Sequence, residues 1–397
     1  MRVIMTGGGT GGHVNPAIAI ANTIKRNDPE AEILFVGTER GIENKLTAAE
    51  GYPIRHVEIK GFKRSLSLGN IKAAYLAFVS PIRAKKIVKE FRPDIVIGTG
   101  GYVCWPVLVA ASKMGIPTAV HESNAFPGVA VRKLQPYVDR IWLNFEESEK
   151  YLTASDKIRH VGNPLRTSFG AIGYEEARKK LGIDGKYKYY ILSYGGSMGA
   201  EKVNEACLAL MRDFGKERTD VLHQHACGSI ELEEASAMFQ NYGLEGRENL
   251  VLSEYIYDMP RRMAAADIII SRAGAMTVSE LAMMKKTSIM IPSPNVTNNH
   301  QYKNAKVIAD KGGTVLLEEK KLADGVLKRE VEALLSDTER RKRMGEAISH
   351  FANLDANKLI YEEILRLTGG SGRKYTFRIP RDSRCKGEKG VPFGGSD

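Results

Sequence analysis

The chain has 397 residues, a formal net charge of +11, 43% hydrophobic and 26% charged residues, which suits two packed cores better than one and excludes a disordered chain. No apolar run approaches the roughly 20 residues of a membrane-spanning helix, and Met1-Arg2-Val3 runs straight into a strand without a targeting signal, so a cytoplasmic protein is expected. Cys104, Cys207, Cys227 and Cys385 lack CxxC spacing, as reduced thiols do and disulfides or a zinc site generally do not.

Arg2-Val3-Ile4-Met5 reads as a strand, and Gly7-Gly8-Gly9-Thr10-Gly11-Gly12-His13 follows it, ahead of a helix expected to begin near Asn15-Pro16. Without Cβ atoms such a stretch takes left-handed turns and brings N–H groups against a phosphate, where a helix start adds partial positive charge. Gly7-x-Gly9-x-x-Gly12 also fits a dinucleotide site, and Glu39, after the strand Ile33-Leu34-Phe35-Val36, stands where a ribose-binding acid is sought.

Between Arg55 and Arg92 ten Lys/Arg stand against Glu58 and Glu90, interleaved with Phe62, Leu66, Ile71, Tyr75, Phe78, Val79 and Ile82. Lys72 and Arg83 beside Ile71, Tyr75, Phe78 and Val79 fit a patch that meets anionic lipid headgroups, and equally a solvated surface helix. No helix-turn-helix, RNA-recognition or zinc-finger pattern accompanies the charge, so no nucleic-acid partner is expected.

Ile95-Val96-Ile97, Thr118-Ala119-Val120 and Arg140-Ile141-Trp142-Leu143 continue a series of short apolar runs separated by helical segments. Asn163-Pro164 interrupts it, and Tyr189 to Ser193, Val221-Leu222-His223, Leu250-Val251-Leu252, Ile268-Ile269-Ile270 and Ser288 to Ile291 resume it. This is the signature of βαβ units and parallel sheets covered on both faces. Gly98-Thr99-Gly100-Gly101, Gly195-Gly196-Ser197-Met198-Gly199 and Ala273-Gly274-Ala275 repeat the strand-to-glycine junction, so the class expected is α/β, two Rossmann-like domains facing a cleft. Residues 1–162 are expected to form the first, and 163–368 the second, with a last helix from Ala356 to Leu367 placed to pack back on the first; 369–397 reads as a disordered basic tail.

His121-Glu122-Ser123-Asn124, Asn163-Pro164-Leu165-Arg166, Glu280 and Asn299-His300-Gln301-Tyr302 place imidazole, carboxylate and amide groups at strand ends or helix starts. Each alone reads first as a cap or hinge with a structural hydrogen bond, while together they are the groups that bind sugar hydroxyls. No Asp-x-Asp occurs, so helix dipoles and backbone N–H groups rather than a metal are expected to neutralise a departing diphosphate. His223-Gln224-His225 with Cys227 is the alternative metal set, though positions alternating on one strand read first as core.

Gly8-Gly9-Thr10-Gly11-Gly12-His13, His121 to Asn124, Gly162 to Arg166, Gly195 to Ala200, Arg272 to Glu280 and His300 to Ala305 together resemble the motifs of the MurG family, in order over residues 1–368. These are the UDP-N-acetylglucosamine–N-acetylmuramyl-(pentapeptide) pyrophosphoryl-undecaprenol N-acetylglucosamine transferases. The resemblance implies a GT-B fold without cofactor, peripheral on the cytoplasmic face of the membrane. It also implies inverting transfer of N-acetylglucosamine from UDP-N-acetylglucosamine to the C4 hydroxyl of the muramoyl sugar of undecaprenyl-linked lipid I, giving lipid II. By position it assigns UDP-N-acetylglucosamine to Thr10, Gly11, Gly12, Asn124, Arg166, Ser197, Ile256, Ala275, Met276, Thr277, Val278, Ser279, Glu280 and Gln301. Among these, Glu280 falls on the ribose, Gln301 on the sugar and the Ile256 backbone on uracil, while Thr10 to Gly12 also receive the acceptor diphosphate. His13 is the expected base with Glu122 in reserve, and a loop-capping or diphosphate-binding His13 is the alternative. Met198 and His300 stand where Gln is usual, and the tail after Gly369 lies outside the resemblance. The rivals are a GT-B UDP-sugar enzyme with another acceptor or a 2-epimerase, a nicotinamide dehydrogenase, and a non-enzymatic lipid- or RNA-binding protein.

Overall fold

Two all-parallel sheets organise the residues described by this computed structural model, which are 1–61, 68–322 and 325–369, with the side chains at 68–72 and 74 left aside. The first holds β1 (Arg2–Thr6), β2 (Glu32–Gly37), β3 (Ile54–His56), β4 (Ile95–Gly98), β5 (Thr118–Glu122), β6 (Arg140–Leu143) and β7 (Ile158–His160), in the order β3-β2-β1-β4-β5-β6-β7. The second holds β8 (Tyr189–Tyr194), β9 (Val221–Ala226), β10 (Leu250–Ser253), β11 (Ile268–Ser271), β12 (Ser288–Met290) and β13 (Val315–Leu316), in the order β10-β9-β8-β11-β12-β13. Val3, Ile4, Met5, Ile95, Val96 and Ile97 are fully buried because helices cover both faces of the central strands.

Strand order reverses between β1 and β4 and again between β8 and β11. Connections leave to opposite faces at such points and open a crevice beyond the strand ends. The glycine-rich loops follow β1, β4, β8 and β11, the strands that flank the two crevices. Recurrence of glycine in the sequence is therefore a consequence of topology: these are the places where backbone must turn sharply beside a ligand.

Four elements differ from the sequence expectation. β3 and β7 went unread because each is the tripeptide Ile-Arg-His at a sheet edge, where polar residues discourage further pairing, and β13 has only two residues. The first helix is Gly11–Asn27 and begins inside the glycine run, four residues before Asn15. Thr10 is extended (φ −147°, ψ 155°), and its carbonyl accepts from the N–H groups of His13 and Val14 at 3.1 and 3.2 Å. Low helix propensity made glycine an unpromising start, yet the unbonded N–H groups of that first turn are what an anion site uses.

The helix Ala356–Leu367 buries Ile360, Tyr361 and Ile364 in one cluster with Val3, Met5, Ile20 and Trp142, so the end of the described chain packs on the first sheet. The expected tail from 370 to 397, with Cys385, and the patch residues Phe62 and Leu66 lie outside the described residues. Among the described residues no helix is long and apolar enough to cross a membrane.

Candidate active site

The loop after β1 is braced from beneath by a carboxylate. Glu43 is fully buried; its Oε2 accepts the Gly9 N–H at 3.1 Å and its Oε1 accepts the Thr38 N–H and hydroxyl at 2.9 and 2.8 Å. Burial opposes the charge, but the Thr38 and Gly9 donors prevail and hold the carboxyl below its usual range. Glu39, the acid singled out from the sequence, is exposed beyond β2, and the acid that meets the loop lies four residues later. Glu43→Gln sets an amide NH₂ against one of these N–H groups. It should cost roughly 2–3 kcal/mol and lower the Tm by several degrees in thermal denaturation at neutral pH. Because the folded pKa lies below the usual 4.5, the gap to wild type should narrow as pH falls below 4.5 and close as it passes through the lower folded pKa.

Gly9 being engaged, the groups left to a ligand are the N–H groups of Gly11 and Gly12, which have no carbonyl one helical turn back. His13 follows them. Its Nδ1 lies 3.1 Å from the Gly8 carbonyl and 3.4 Å from the Thr10 hydroxyl. A carbonyl only accepts, so Nδ1 carries the proton of the neutral ring and Nε2 keeps its lone pair. Burial pushes the His13 pKa below 6.5, against the Gly8 carbonyl and the Glu43 charge. His300, from the other half of the chain, is also lowered by burial and senses the charges of both His13 and Glu122.

Glu122 is 4% exposed, and both its oxygens are taken: Oε1 accepts the Asn124 N–H and side-chain amide, each at 2.9 Å, and Oε2 accepts the Gly128 N–H at 2.7 Å. Burial nonetheless raises its pKa. The group expected as a reserve base is thus a brace for the 122–128 turn, a pairing with local backbone that residue type alone did not reveal. His121 is buried and bonds the Gly162 carbonyl at 2.9 Å, its pKa pushed down to about 4 by burial.

On the other wall the helix Ala275–Met283 starts directly after β11 and Gly274, leaving the N–H groups of Ala275, Met276 and Thr277 without carbonyls one turn back. Val278 is buried, and the Ala275 carbonyl and Ser279 hydroxyl accept from the Asn163 amide at 3.3 and 2.9 Å. Glu280 is half-buried; burial pushes its pKa up to about 8, and the Arg166 guanidinium opposes this. Arg166 itself is exposed, 3.9 Å from Glu50. Gln301 accepts the Ser293 N–H at 2.9 Å, Ser197 and Met198 are exposed in the loop after β8, and Ile256 is buried beyond β10.

The two walls meet. The helices Gly11–Asn27 and Ala275–Met283 touch, and fully buried Asn304 pins one half to the other. Its Oδ1 accepts the Ala125 N–H at 2.9 Å, while its Nδ2 donates to the Asn124 side chain and the Ala273 carbonyl, both at 3.2 Å. Asn304 was overlooked as a site residue; its signal was the spacing of three and four from Gln301 and His300, which places it on their helix face. Thr10 to His13, Asn124, the start of the 275–283 helix, Glu280, His300 and Gln301 thus border one interdomain cleft.

The proposed lipid patch is elsewhere, on the helix Leu68–Phe91. Tyr75, Phe78 and Ile82 are 61%, 80% and 66% exposed while Ala73 and Leu76 are buried. Val79 is half-buried, and Arg83 is ion-paired with Glu58 at 2.5 Å, so its charge is already partnered. The side chains of Ile71 and Lys72 lie outside the described residues. The His223 and His225 rings are buried against the Ser193 hydroxyl, and among the described residues no three His, Cys, Asp or Glu side chains are grouped to hold a metal.

Residues 3–143 match the glycosyltransferase family 28 N-terminal domain and residues 190–360 the family's C-terminal domain. A UDP-N-acetylglucosamine–N-acetylmuramyl-(pentapeptide) pyrophosphoryl-undecaprenol N-acetylglucosamine transferase of Acetivibrio thermocellus is 42% identical over 364 residues, covering 92% of this chain and 97% of its own. A relative of the same name from Caldanaerobacter subterraneus is 40% identical over 368 residues, 93% of this chain and 100% of its own. Of solved structures, Acinetobacter baumannii MurG aligns with a TM-score of 0.72 at 25% identity over 92% of this chain and 99% of that one. A Neisseria meningitidis UDP-GlcNAc 2-epimerase bound to UDP-GlcNAc shares the fold at a TM-score of 0.62 and 16% identity, over 92% of this chain and 100% of its own.

Proposed function

The chain belongs to the MurG branch of glycosyltransferase family 28, and on that premise we propose that it moves N-acetylglucosamine from UDP-N-acetylglucosamine to the C4 hydroxyl of the muramoyl sugar of lipid I, inverting the anomeric centre and giving lipid II. The observation that carries this reading is the pairing, where the two halves meet, of two helix starts with open N–H groups, the first of which carries His13 with its pKa lowered by burial. Two diphosphates need two electropositive backbone sites, and the starts at Gly11–Gly12 and at Ala275–Thr277, with the loop Gly195 to Gly199, supply them without a metal. The acceptor diphosphate meets Gly11 and Gly12; the donor meets Ser197, the 275–280 segment, Gln301 and Asn124. Arg166 faces the Glu280 side of the donor, and the Ile256 backbone meets the base. His13 Nε2 takes the proton of the attacking hydroxyl as the diphosphate leaves from the opposite face.

The test is transfer of labelled N-acetylglucosamine to a lipid I analogue, with and without chelator. Product that requires the acceptor and survives chelation is expected. A second reading, 2-epimerisation, rests on the fold shared with the epimerase above and would instead yield an epimerised UDP-sugar with no acceptor present.

The enzyme works, on this reading, at the cytoplasmic face of an anionic membrane, docked by the exposed row of the 68–91 helix. Replacing Tyr75 and Phe78 together by Glu removes two exposed apolar side chains and sets charge in their place. Vesicle binding in a flotation or tryptophan-fluorescence assay should weaken by at least about tenfold, with turnover of a soluble short-chain acceptor within about twofold of wild type. Equal loss of both activities would count against the dock.

A further inference from the structure

Behind the loop Gly195 to Gly199 lies a buried polar chain that the proposed chemistry does not use. His223 and His225, two apart on β9, face the same way and both reach the hydroxyl of Ser193 on β8, each at 2.8 Å. His225 Nε2 lies 3.0 Å from Asn204 Oδ1, and Asn204 Nδ2 lies 3.0 Å from the Cys227 carbonyl. Ser193 and His225 are fully buried, His223 is 1% exposed and Asn204, in the helix Glu201–Leu210, is 4% exposed.

Counting donors assigns every proton. The Cys227 carbonyl only accepts, so the Asn204 amide presents its NH₂ there and its oxygen to His225. His225 therefore donates from Nε2 and accepts at Nδ1. The Ser193 hydroxyl supplies that proton and in turn accepts from His223 Nε2. All four bonds run in one direction, from His223 to the carbonyl of Cys227, with both rings neutral and protonated at Nε2.

The carbonyl at the end of this chain is part of the seat of the loop. A Cβ at Gly199 would stand 2.3 Å from the Cys227 oxygen, and one at Gly228 would stand 2.0 Å from the Gly199 nitrogen. Next along, the N–H groups of Ser229 and Ile230 bond the carbonyls of Ser197 and Met198 at 3.3 and 3.4 Å. Segment 227–230 thus holds the loop by direct backbone contact; its own N–H groups at Cys227 and Gly228 bond the Ser253 and Glu254 carbonyls at 2.9 and 3.0 Å, and the relay fixes its first carbonyl, that of Cys227. We infer that His223, Ser193, His225 and Asn204 are positioning residues that set the geometry of the loop for the donor's diphosphate, an inference that rests on the transferase reading above.

Two measurements test it. In the wild-type protein without ligand, ¹⁵N NMR of the histidine rings should find both His223 and His225 as the Nε2–H tautomer; an Nδ1–H tautomer at His225 overturns the chain. UDP is then titrated into wild type and into Asn204→Leu, which keeps the volume and removes both bonds. The Kd for UDP should rise about tenfold in the folded variant, and the donor KM should rise with it while kcat stays within about threefold. An unchanged UDP Kd in a folded Asn204→Leu protein overturns the inference even if its Tm has fallen. Ser193→Ala serves in the same way if Asn204→Leu does not fold. A wild-type protein that binds no UDP overturns the transferase reading instead, and the tautomers still decide the relay.

Discussion

Replacing His13 by Ala should lower kcat by about 10²–10⁴-fold, some 2.7–5.5 kcal/mol of transition-state stabilisation, with UDP affinity unchanged. The geometry explains the size. The Gly8 carbonyl at 3.1 Å holds the proton on Nδ1 and fixes the ring with Nε2 unprotonated. Gly100 packs so closely that a Cβ there would stand 2.5 Å from His13 Cδ2, so the ring has one seat. A nucleophile held beside such a base loses its proton as the bond forms, and no other imidazole from this half of the cleft replaces it.

The pH dependence separates the two roles open to this residue. A base must be neutral, so kcat/KM for the acceptor, measured at saturating donor so that the Glu280 proton has already left, should rise with pH through a midpoint below 6.5, because burial lowers the His13 pKa. A histidine that binds the acceptor diphosphate as a cation gives the opposite slope, activity falling through the same midpoint. The rising limb should vanish in His13→Ala. A falling limb in wild type, or turnover of His13→Ala within about twofold of wild type at saturating acceptor, would sink the base assignment.

The sheets were legible because buried parallel strands are written as unbroken apolar runs: Val3 to Met5 and Ile268 to Ile270 need no partner sequence to be recognised. The glycine loops were legible for a related reason, since a crevice at a switch point demands backbone without side chains. Groups whose partners lie far along the chain were not. Glu43 looks like an ordinary helix-start acid until the fold brings Gly9 against it, and Asn304 acquires its role only when Asn124 and Ala125, some 180 residues away, close over it. Glu122 misled in the opposite direction. Its residue type and strand-end position suit a base, but two neighbouring N–H groups and an amide had already taken both oxygens. The same arithmetic turned His223 and His225 from a metal candidate into hydrogen-bond partners of Ser193.

Binding of UDP-N-acetylglucosamine should release close to one proton near neutral pH, and Glu280 is its source. In the free protein burial lifts this carboxyl to about 8, so at pH 7 the protonated form predominates. Hydroxyl pairs such as those of a ribose donate best to the ionised form, so the donor selects the carboxylate and the proton leaves. The bound state holding fewer protons, affinity must increase with pH: the Kd should tighten by nearly tenfold per unit from about pH 6 to 7 and level off above about 8. Calorimetric titrations in two buffers of different ionisation enthalpy measure the release directly. Glu280→Gln should abolish it, flatten the pH dependence and weaken donor binding by about 10- to 100-fold, since a charge-assisted pair becomes a neutral one. The same shift acts on the free protein with a defined sign. A carboxyl whose pKa is raised on folding, from 4.5 to about 8, makes folding less favourable as pH rises across that interval. Wild type should therefore lose stability relative to Glu280→Gln between those two values in the absence of ligand, and saturating UDP-sugar should remove the difference in slope. Identical slopes without ligand, together with no buffer dependence of the binding enthalpy, would mean that Glu280 is already ionised in the free cleft and meets the donor without exchanging a proton.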